Sequence, residues 1–561
     1  MSPQSVQAEY QAGITFNQGI ELYEGIETNE NFFIGKQWEG VQSNGMPTPV
    51  FNFLKRVVLF AVANVTTDNW KLHASVLPGF MGHVTDPEFL AEILNNEFLS
   101  IFEQNRMSGL LRRFTRNAAV DGDGCTYTYW DPDVETGQWS KGAIRTELLQ
   151  NHQVLFGNPN SKDVQSQPYI LLERRLTVKE ARKRAKAFGQ DASEIVADSK
   201  ETGNVQMDAI GGSKVTVLTK LWKNDKTGTV WGYECTSEAV VRPAWDLGIK
   251  RYPITWMCWD FVQDCYHGQA MITGLIPNQI FVNKSFAMAM IFNMSLAYPK
   301  VVFDRTKVPH WSNRVGSAIG VSGPVTDVAK VMDPGVMGPQ VTDLINLSVK
   351  YSQEFLGASD VALGNSRPDN AAAVIALQRA AAVPMELTRQ DLMESIEDLG
   401  RIYIDFMGAY YGQRYVSTKD PQFGENVLTV VDFSVLQDIP MTIDLDAGAS
   451  AYWSEIASMQ TMDNLLQQGK ISAIEYIKRL PAGMISDRDK LIAIMEQEQR
   501  MQMQAAGLPP DMMPPPGAVP EGNGPAGAEE APLEIGPGNR TLQRELVKQG
   551  VIPGTGGMTN G

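Results

Sequence analysis

Asp121, Asp123, Asp131 and Asp133 form the acidic cluster best spaced for chemistry in this 561-residue chain. Paired carboxylates can bind Ca²⁺ or Mg²⁺, or act as acid and base in hydrolysis. The cluster lacks the ligand spacing of an EF-hand loop. A glycine-rich turn into a strand, followed by a hairpin turn, explains the same four residues. We favour this structural interpretation and keep a metal-dependent hydrolase as the alternative.

Two groups of basic residues are candidate binding surfaces. The first lies on a predicted surface helix among acidic residues, so a solvated face is the favoured interpretation. It comprises Arg174, Arg175, Lys179, Arg182, Lys183, Arg184 and Lys186. The second lies in a Pro- and Gly-rich insertion between two predicted helices, where a docking surface and an ordinary loop are equally supported. It comprises Lys300, Arg305, Lys307, His310, Trp311 and Arg314.

The motifs of common enzyme classes are absent from the sequence. No phosphate-binding GxxxxGK[ST] loop occurs, since QGKIS at 468–472 lacks the upstream glycine. This absence excludes a typical packaging or helicase motor. The five histidines are scattered and the four cysteines form no CxxC pair, so no metal site is indicated. No catalytic, cofactor or metal-binding residue is therefore assigned.

Composition argues against a protein that holds nucleic acid on a broadly basic surface. The net charge is −16, whereas such a protein needs a basic face. The few cysteines suit a reducing cytoplasm, and the first residues lack signal-peptide features. The most apolar stretch, 286–298, is too short and too broken to span a bilayer. We expect a soluble cytoplasmic protein that does not enter a membrane.

The first half of the chain must position these residues with helices followed by strands. Residues 1–120 are predicted to be mostly helical, with one long amphipathic run over 86–124. Hairpins follow to about residue 150. A short helix then begins at a capping box of Thr177 and Glu180 and stops at Gly189. Strands are predicted again over 214–234 and 251–262.

The second half is predicted to be mainly helical, with the insertion and a polar loop between its helices. Helices over 274–297 and 339–357 flank the insertion and can lie antiparallel. The loop LGNSRPDN follows at 363–370, and then a very long helical pattern runs over 371–415, kinked at Pro384. Residues 426–446 are strand-like, and 453–500 form a small helical module. A Pro- and Gly-rich tail beyond 504 is predicted to be disordered.

This order of parts resembles the portal, or head-to-tail connector, proteins of tailed double-stranded DNA bacteriophages. Four stretches carry the resemblance, which covers about 30–500. They are AAVDGDGCTYTYWDPD at 118–133, LLQNHQVLFGNPNSKDVQSQPYILLERRLTVKEARKRA at 148–185, HGQAMITGLIPNQIFVNKSFAMAMIFNMSLAYPKVVFD at 267–304, and LGNSRPDNAAAVIALQRAAA at 363–382.

The resemblance implies an α+β, mainly helical subunit that assembles as a ring. Its parts would be an N-terminal helical and α/β wing (1–268), a first stem helix (269–298), a clip (299–338), a second stem helix (339–357), a tunnel loop (358–370), a long kinked helix with wing strands (371–450), a helical crown (451–503) and the disordered tail (504–561).

The resemblance also implies a role in the virion, after assembly in the host cytoplasm. Usually twelve subunits form a channel at one capsid vertex through which double-stranded DNA is packaged and ejected. The clip would dock the terminase large subunit and then head-tail adaptor or neck proteins, and the major capsid and scaffolding proteins are further implied partners. The tunnel loop would touch DNA weakly and without sequence preference through Asn365, Ser366, Arg367 and Asn370. Another virion structural or adaptor protein is the second alternative.

Overall fold

The computed structural model of the chain contains two compact units, residues 1–457 and 458–561. The residues that the structure describes are 1–43, 45–66, 70–77, 79, 86–138, 141–198, 213–297, 301–308, 310, 312, 319–322, 324, 328–331, 340–354, 385–419, 426–447, 462–468, 470–479, 491, 492 and 495. Within them the fold is a mixture of helices and antiparallel sheets, in agreement with the predicted α+β class.

The helices and strands are numbered here in chain order. The helices are α1 (Pro3–Gly19), α2 (Leu22–Ile34), α3 (Phe53–Val65), α4 (Pro87–Gln104), α5 (Met107–Asp121), α6 (Val178–Ala187), α7 (Ile276–Ala297), α8 (Gln340–Glu354), α9 (Glu386–Phe406) and α10 (Ala473–Arg479). The strands are β1 (Trp70–Val76), β2 (Asp123–Asp131), β3 (Ala143–Leu149), β4 (Val154–Phe156), β5 (Ile170–Thr177), β6 (Lys214–Lys223), β7 (Val230–Cys235), β8 (Val240–Asp246), β9 (Ile254–Cys258), β10 (Val301–Phe303), β11 (Ala329–Val331), β12 (Gln413–Lys419), β13 (Asn426–Asp432) and β14 (Met441–Ala447).

The single amphipathic run predicted over 86–124 is wrong, because the chain breaks between α4 and α5. Arg106 has a left-handed φ of 51°, which a helix interior does not tolerate. Asn105 fixes the break, since its side-chain amide donates to Ile101 O at 2.9 Å and to Ile144 O at 3.0 Å. The break lets α4 and α5 pack on each other and on the main core.

Two antiparallel sheets form the middle of the chain, as the predicted hairpins and strands require. One has the order β3-β2-β9, and the other is a meander of five consecutive strands, β4 to β8. Helix α1 packs on the second sheet, where Tyr10 donates to the carboxylate of Glu173 at 2.7 Å. Asp121, Asn151 and His267 are brought close together by the two sheets, just before the start of α7.

Helix α6 begins and ends as the sequence predicts. Thr177 Oγ1 accepts from the Glu180 amide at 3.2 Å, and the Glu180 carboxylate accepts from the Thr177 amide at 3.2 Å. Gly189, just beyond the helix, has a φ of 70°, the left-handed stop. Ala181 and Ala185 are fully buried in a small hydrophobic cluster with strands of the five-stranded sheet.

The long helix predicted over 371–415 ends earlier than expected. Helix α9 gives way to a π-helical turn at Met407–Tyr411, and β12 begins after Gly412, whose φ of 58° ends the helix. Apolar residues spaced by three and four along this pattern form a stripe that faces the chain's own core. Its buried members are Leu392, Ile396, Leu399, Tyr403 and Phe406. Pro384, the predicted kink, lies outside the described residues.

Two features were not predicted. Strand β14 pairs antiparallel with β1, with Trp70 opposite Ala447, although the two strands are far apart in the chain. Strand β1 itself lies within a region that the sequence predicted to be mostly helical. In the second unit, residues 462–467 and α10 are helical, and Ser472 Oγ caps α10 by accepting from the Glu475 amide at 3.2 Å.

Candidate functional site

The first turns of α7 are fixed to the N-terminal helices by buried side-chain amides. Gln279 donates to Phe51 O at 2.9 Å and accepts from the Leu54 amide at 3.4 Å. One turn later, Asn283 donates to the Gln37 side chain at 2.6 Å and accepts from Gln279 at 2.9 Å. An unpaired buried amide would cost about 1–3 kcal/mol. This network therefore holds α7 in one position at its base.

A second buried network lies just before α7 in the chain. His267 Nδ1 is 2.7 Å from Asp123 Oδ2, and the other oxygen of Asp123 accepts from the Gly268 amide at 2.7 Å. Asn151 donates to Asp123 at 3.2 Å, and His267 Nε2 is 3.2 Å from Asn17 Oδ1. Asp123 and His267 are almost completely buried. The sequence treated Asp123 as a turn residue and assigned no role to His267.

The four aspartates of the acidic cluster do not meet. Asp123 begins strand β2 and Asp131 ends it, so the two ends lie about 26 Å apart at the rise of an extended strand. Asp131 accepts from the Asp133 amide at 3.1 Å, a local turn at the hairpin. Among the described residues, no group of three or more His, Cys, Asp or Glu side chains could hold a metal ion. The predicted hairpin turn at Asp131 and Asp133 is present, whereas Asp123 is a buried strand residue and not a turn residue.

Asp121 has a carboxyl whose pKa is raised. Burial raises the pKa of its carboxyl to about 7, and Arg116, 4.0 Å away, offsets only part of that rise. Asp121 ends α5 and lies beside a cleft of about 330 Å³, whose lining includes Glu21, His267 and Thr273. Burial of this kind favours the neutral form of a carboxyl.

The second half of α7 is mostly apolar, and several of its large apolar side chains are exposed. Met288 is 60% exposed, Met294 is 56% exposed and Leu296 is 56% exposed. A helix that is hydrophobic all round is normally buried. Exposed apolar surface of this kind marks an interaction site.

Helix α8 packs alongside α7 and leaves an apolar stripe of its own exposed. Ile345 is buried, whereas Leu344, Leu347 and Tyr351 are 44–53% exposed. Their spacing of three and four residues places them on one face of the helix. The described part of the helix pair thus presents apolar side chains on two different helices. Strands β10 and β11 form a short antiparallel ribbon in the insertion between them.

The predicted docking residues of the insertion are described only in part. Lys307 pairs with Asp304 at 3.7 Å, and Arg305 and His310 are exposed. Lys300, Trp311 and Arg314 lie outside the described residues, as do all four predicted tunnel-loop residues, Asn365, Ser366, Arg367 and Asn370. The docking and tunnel-loop assignments stay predictions.

The other predicted basic group divides into two sets. Three arginines are neutralised by carboxylates, and the pairs are Arg174–Glu147, Arg175–Asp198 and Arg184–Glu234. The remaining four cations, Lys179, Arg182, Lys183 and Lys186, are exposed on α6.

A protein-family model described as "Phage P22-like portal protein" matches residues 176–514. The match spans more than half of the chain and takes in α6, the helix pair and α9. The chain belongs to the P22-like phage portal family. A comparison with curated proteins finds no match.

Membership of this family confirms the resemblance seen in the sequence. The P22-like portal family is a structural class of bacteriophage proteins that acts in DNA packaging. It implies a homo-oligomeric ring that works with DNA and the capsid, at the capsid vertex of the virion. In the part of the chain that the structure describes, no helix is long and apolar enough to cross a membrane.

Proposed function

We propose that this chain forms the ring-shaped channel through which double-stranded DNA is packaged into a phage capsid and later ejected. The observation that carries the proposal is the uncovered apolar surface of α7 and α8 in the single chain. Met288 and Met294 on α7, and Leu347 on α8, are each at least 44% exposed. These helices would form the stem, in a ring that the family usually builds from twelve subunits.

A ring explains why both helices of the pair are apolar on the outside. One helix of the pair covers one side of the other, and the remaining sides need a second copy of the chain. Contacts between two different patches of the same chain are heterologous, and they close into a ring when the rotation per subunit is right. A two-fold dimer would instead use one patch that contacts itself.

The remaining assignments follow from the family resemblance. The insertion would be the clip, which docks the terminase large subunit during packaging and head-tail adaptor or neck proteins afterwards, through Arg305, Lys307 and His310 among others. The capsid and scaffolding proteins would contact the wing, and residues 451–503 would form the crown. Arg367 in the tunnel loop would touch the DNA backbone weakly. The acidic net charge of −16 would keep most of the channel from trapping phosphates.

A single substitution tests the stem interface. Leu347→Asp places a charge in the exposed stripe of α8, and we expect it to abolish the ring, because burying an unpaired carboxylate costs several kcal/mol per interface. Asn346→Asp adds the same charge at a neighbouring exposed position outside the stripe and serves as the control. Native mass spectrometry of both variants reads the subunit number. Rings of normal size for Leu347→Asp, or a wild-type chain that stays monomeric, would exclude this interface.

The function itself is tested in packaging. Arg367→Ala should assemble into normal rings and should package or retain less DNA, because it removes a backbone contact from every subunit. Normal packaging by this variant would remove Arg367 from the proposed channel contacts.

A further inference from the structure

The exposed face of α6 carries a cationic stripe that the channel proposal does not use. Its members, Lys179, Arg182, Lys183 and Lys186, are all exposed. At 3.6 residues per turn they fall within an arc of about 100°, and they span about 10 Å along the helix. We call these four residues the α6 stripe. The buried side of the helix, at Ala181 and Ala185, faces the sheet.

The charges of the α6 stripe are not neutralised within the described part of the chain. No described carboxylate lies within ion-pair distance of Lys179, Lys183 or Lys186. Arg182 donates to the carbonyl oxygen of Ile195 at 3.0 Å and 2.8 Å, a neutral acceptor that positions its guanidinium and leaves the charge in place. The neighbouring arginines on the inner side are each paired with an acid. Within the described residues, one short helix thus presents four cations without an ion pair, in a chain with a net charge of −16.

We propose that the α6 stripe binds the phosphate backbone of duplex DNA, through residues that belong to neither the tunnel loop nor the clip. Four cations over about 10 Å need a partner with a similar density of negative charge. Duplex DNA carries one charge per about 1.7 Å of its axis on every face and in any register. An acidic protein helix matches the stripe only if its carboxylates are aligned on one side at the same spacing. Duplex DNA is also the polyanion with which this family works.

The position of α6 makes this contact independent of the helix pair. Helix α6 contacts β5, β6 and β8, and its buried residues belong to a hydrophobic cluster distinct from the one that includes the base of α7. Contacts of this type fix position without reading sequence. The α6 stripe would therefore hold DNA that lies against the subunit while the channel lets DNA pass.

The test compares two double variants of the full-length protein with the wild type. Lys183→Gln with Lys186→Gln removes half of the α6 stripe. Lys71→Gln with Lys226→Gln removes two other exposed lysines and makes the same change in net charge. Binding of a fluorescent duplex of about 30 base pairs is measured by anisotropy over a range of NaCl concentrations. Each lost phosphate contact lowers the salt dependence by about 0.9, so the plot of log K against log salt should be less steep by about 1.8 for the stripe variant.

The outcomes separate this proposal from its alternatives. Equal slopes for the two double variants, or no binding of duplex by the wild type, overturn it. Binding of a poly-glutamate peptide that depends on the α6 stripe, without stripe-dependent binding of duplex, shows a docking surface for an acidic protein and also overturns it. Native mass spectrometry of the same samples reports assembly separately. A wild type without rings but with stripe-dependent duplex binding refutes the proposed ring and leaves the α6 stripe standing.

Discussion

Asp123→Ala is the substitution that tests most directly how the base of α7 is held. It removes both oxygens that accept from Gly268 and His267 at 2.7 Å. Asn151 is less affected, since it also donates to Asp121 O at 2.9 Å. Two donors then lose their acceptor. Leaving a buried polar group unpaired costs about 1–3 kcal/mol, so the two losses together cost about 2–6 kcal/mol. We expect the free energy of local opening of the segment around Gly268 to fall by that amount.

Hydrogen exchange followed by mass spectrometry measures this opening on the assembled protein. A change of about 2–6 kcal/mol corresponds to a loss of protection of about thirtyfold to about twenty-thousandfold, at about 1.4 kcal/mol per factor of ten. Asp123→Asn keeps one acceptor oxygen and should lose much less. Asp131→Ala, at the far end of β2, is the matched control and should leave the Gly268 amide unchanged. Unaltered protection in Asp123→Ala would refute the anchoring role of this carboxylate. Mg²⁺-dependent hydrolysis by the wild type that this variant loses while still protected would revive the hydrolase alternative.

Three further predictions concern pH, packing and assembly. Burial raises the pKa of the Asp121 carboxyl to about 7, so the folded chain binds this proton more tightly than the unfolded chain. The contribution of Asp121 to folding stability therefore falls as the pH rises from about 4 to about 7, and it is constant at higher pH. Asp121→Asn should raise the melting temperature more at pH 8 than at pH 5, and an equal effect at both would contradict the assignment. Gly142→Ala would place a Cβ 2.2 Å from the Trp130 ring at a φ of 122°, and it should lower the free energy of unfolding by more than about 2 kcal/mol. Gly137 has a φ of 73° and open space around it, so Gly137→Ala should lower the free energy of unfolding by about 1 kcal/mol in the same thermal assay. Purified wild type should form rings of more than one subunit number, because closure depends on small angles at heterologous contacts; a single mass in native spectra would count against this.

The sequence predicted most of the local structure because the signals for it are local. The capping box at Thr177 and the glycine at 189 define α6 within one residue or two, and Pro277 correctly lies in the first turn of α7. The order of helices and strands was enough to suggest the family. These features depend on residues only three or four positions apart, which a pattern can register.

The networks at the base of α7 could not be predicted, since their partners are far apart in the chain. Asp123 and His267 are separated by 144 residues, and Asn283 and Gln37 by 246. An isolated aspartate in a glycine-rich stretch is as consistent with a turn as with a buried pair. The pairing of β1 with β14 could not be predicted for the same reason, because nothing in the sequence of one strand indicates a distant strand as its partner. One hint was available, since the Gln and Asn of α7 interrupt an otherwise apolar pattern.

The two ends of the helix pair make different kinds of contact, hydrogen bonds at the base and apolar contacts at the far end. At the base, hydrogen bonds of Gln279, Asn283 and Asp123 have one satisfactory geometry, and a small displacement leaves buried polar groups unpaired. At the far end, apolar contact is non-directional, and the Met288 and Met294 side chains are unbranched and adapt to irregular surfaces. In the proposed ring, the helix pair would stay firmly attached to its own subunit while its contacts to neighbouring copies adjust. A ring that must hold its shape around moving DNA, and still accept small changes of angle between subunits, needs that division between polar base and apolar tip.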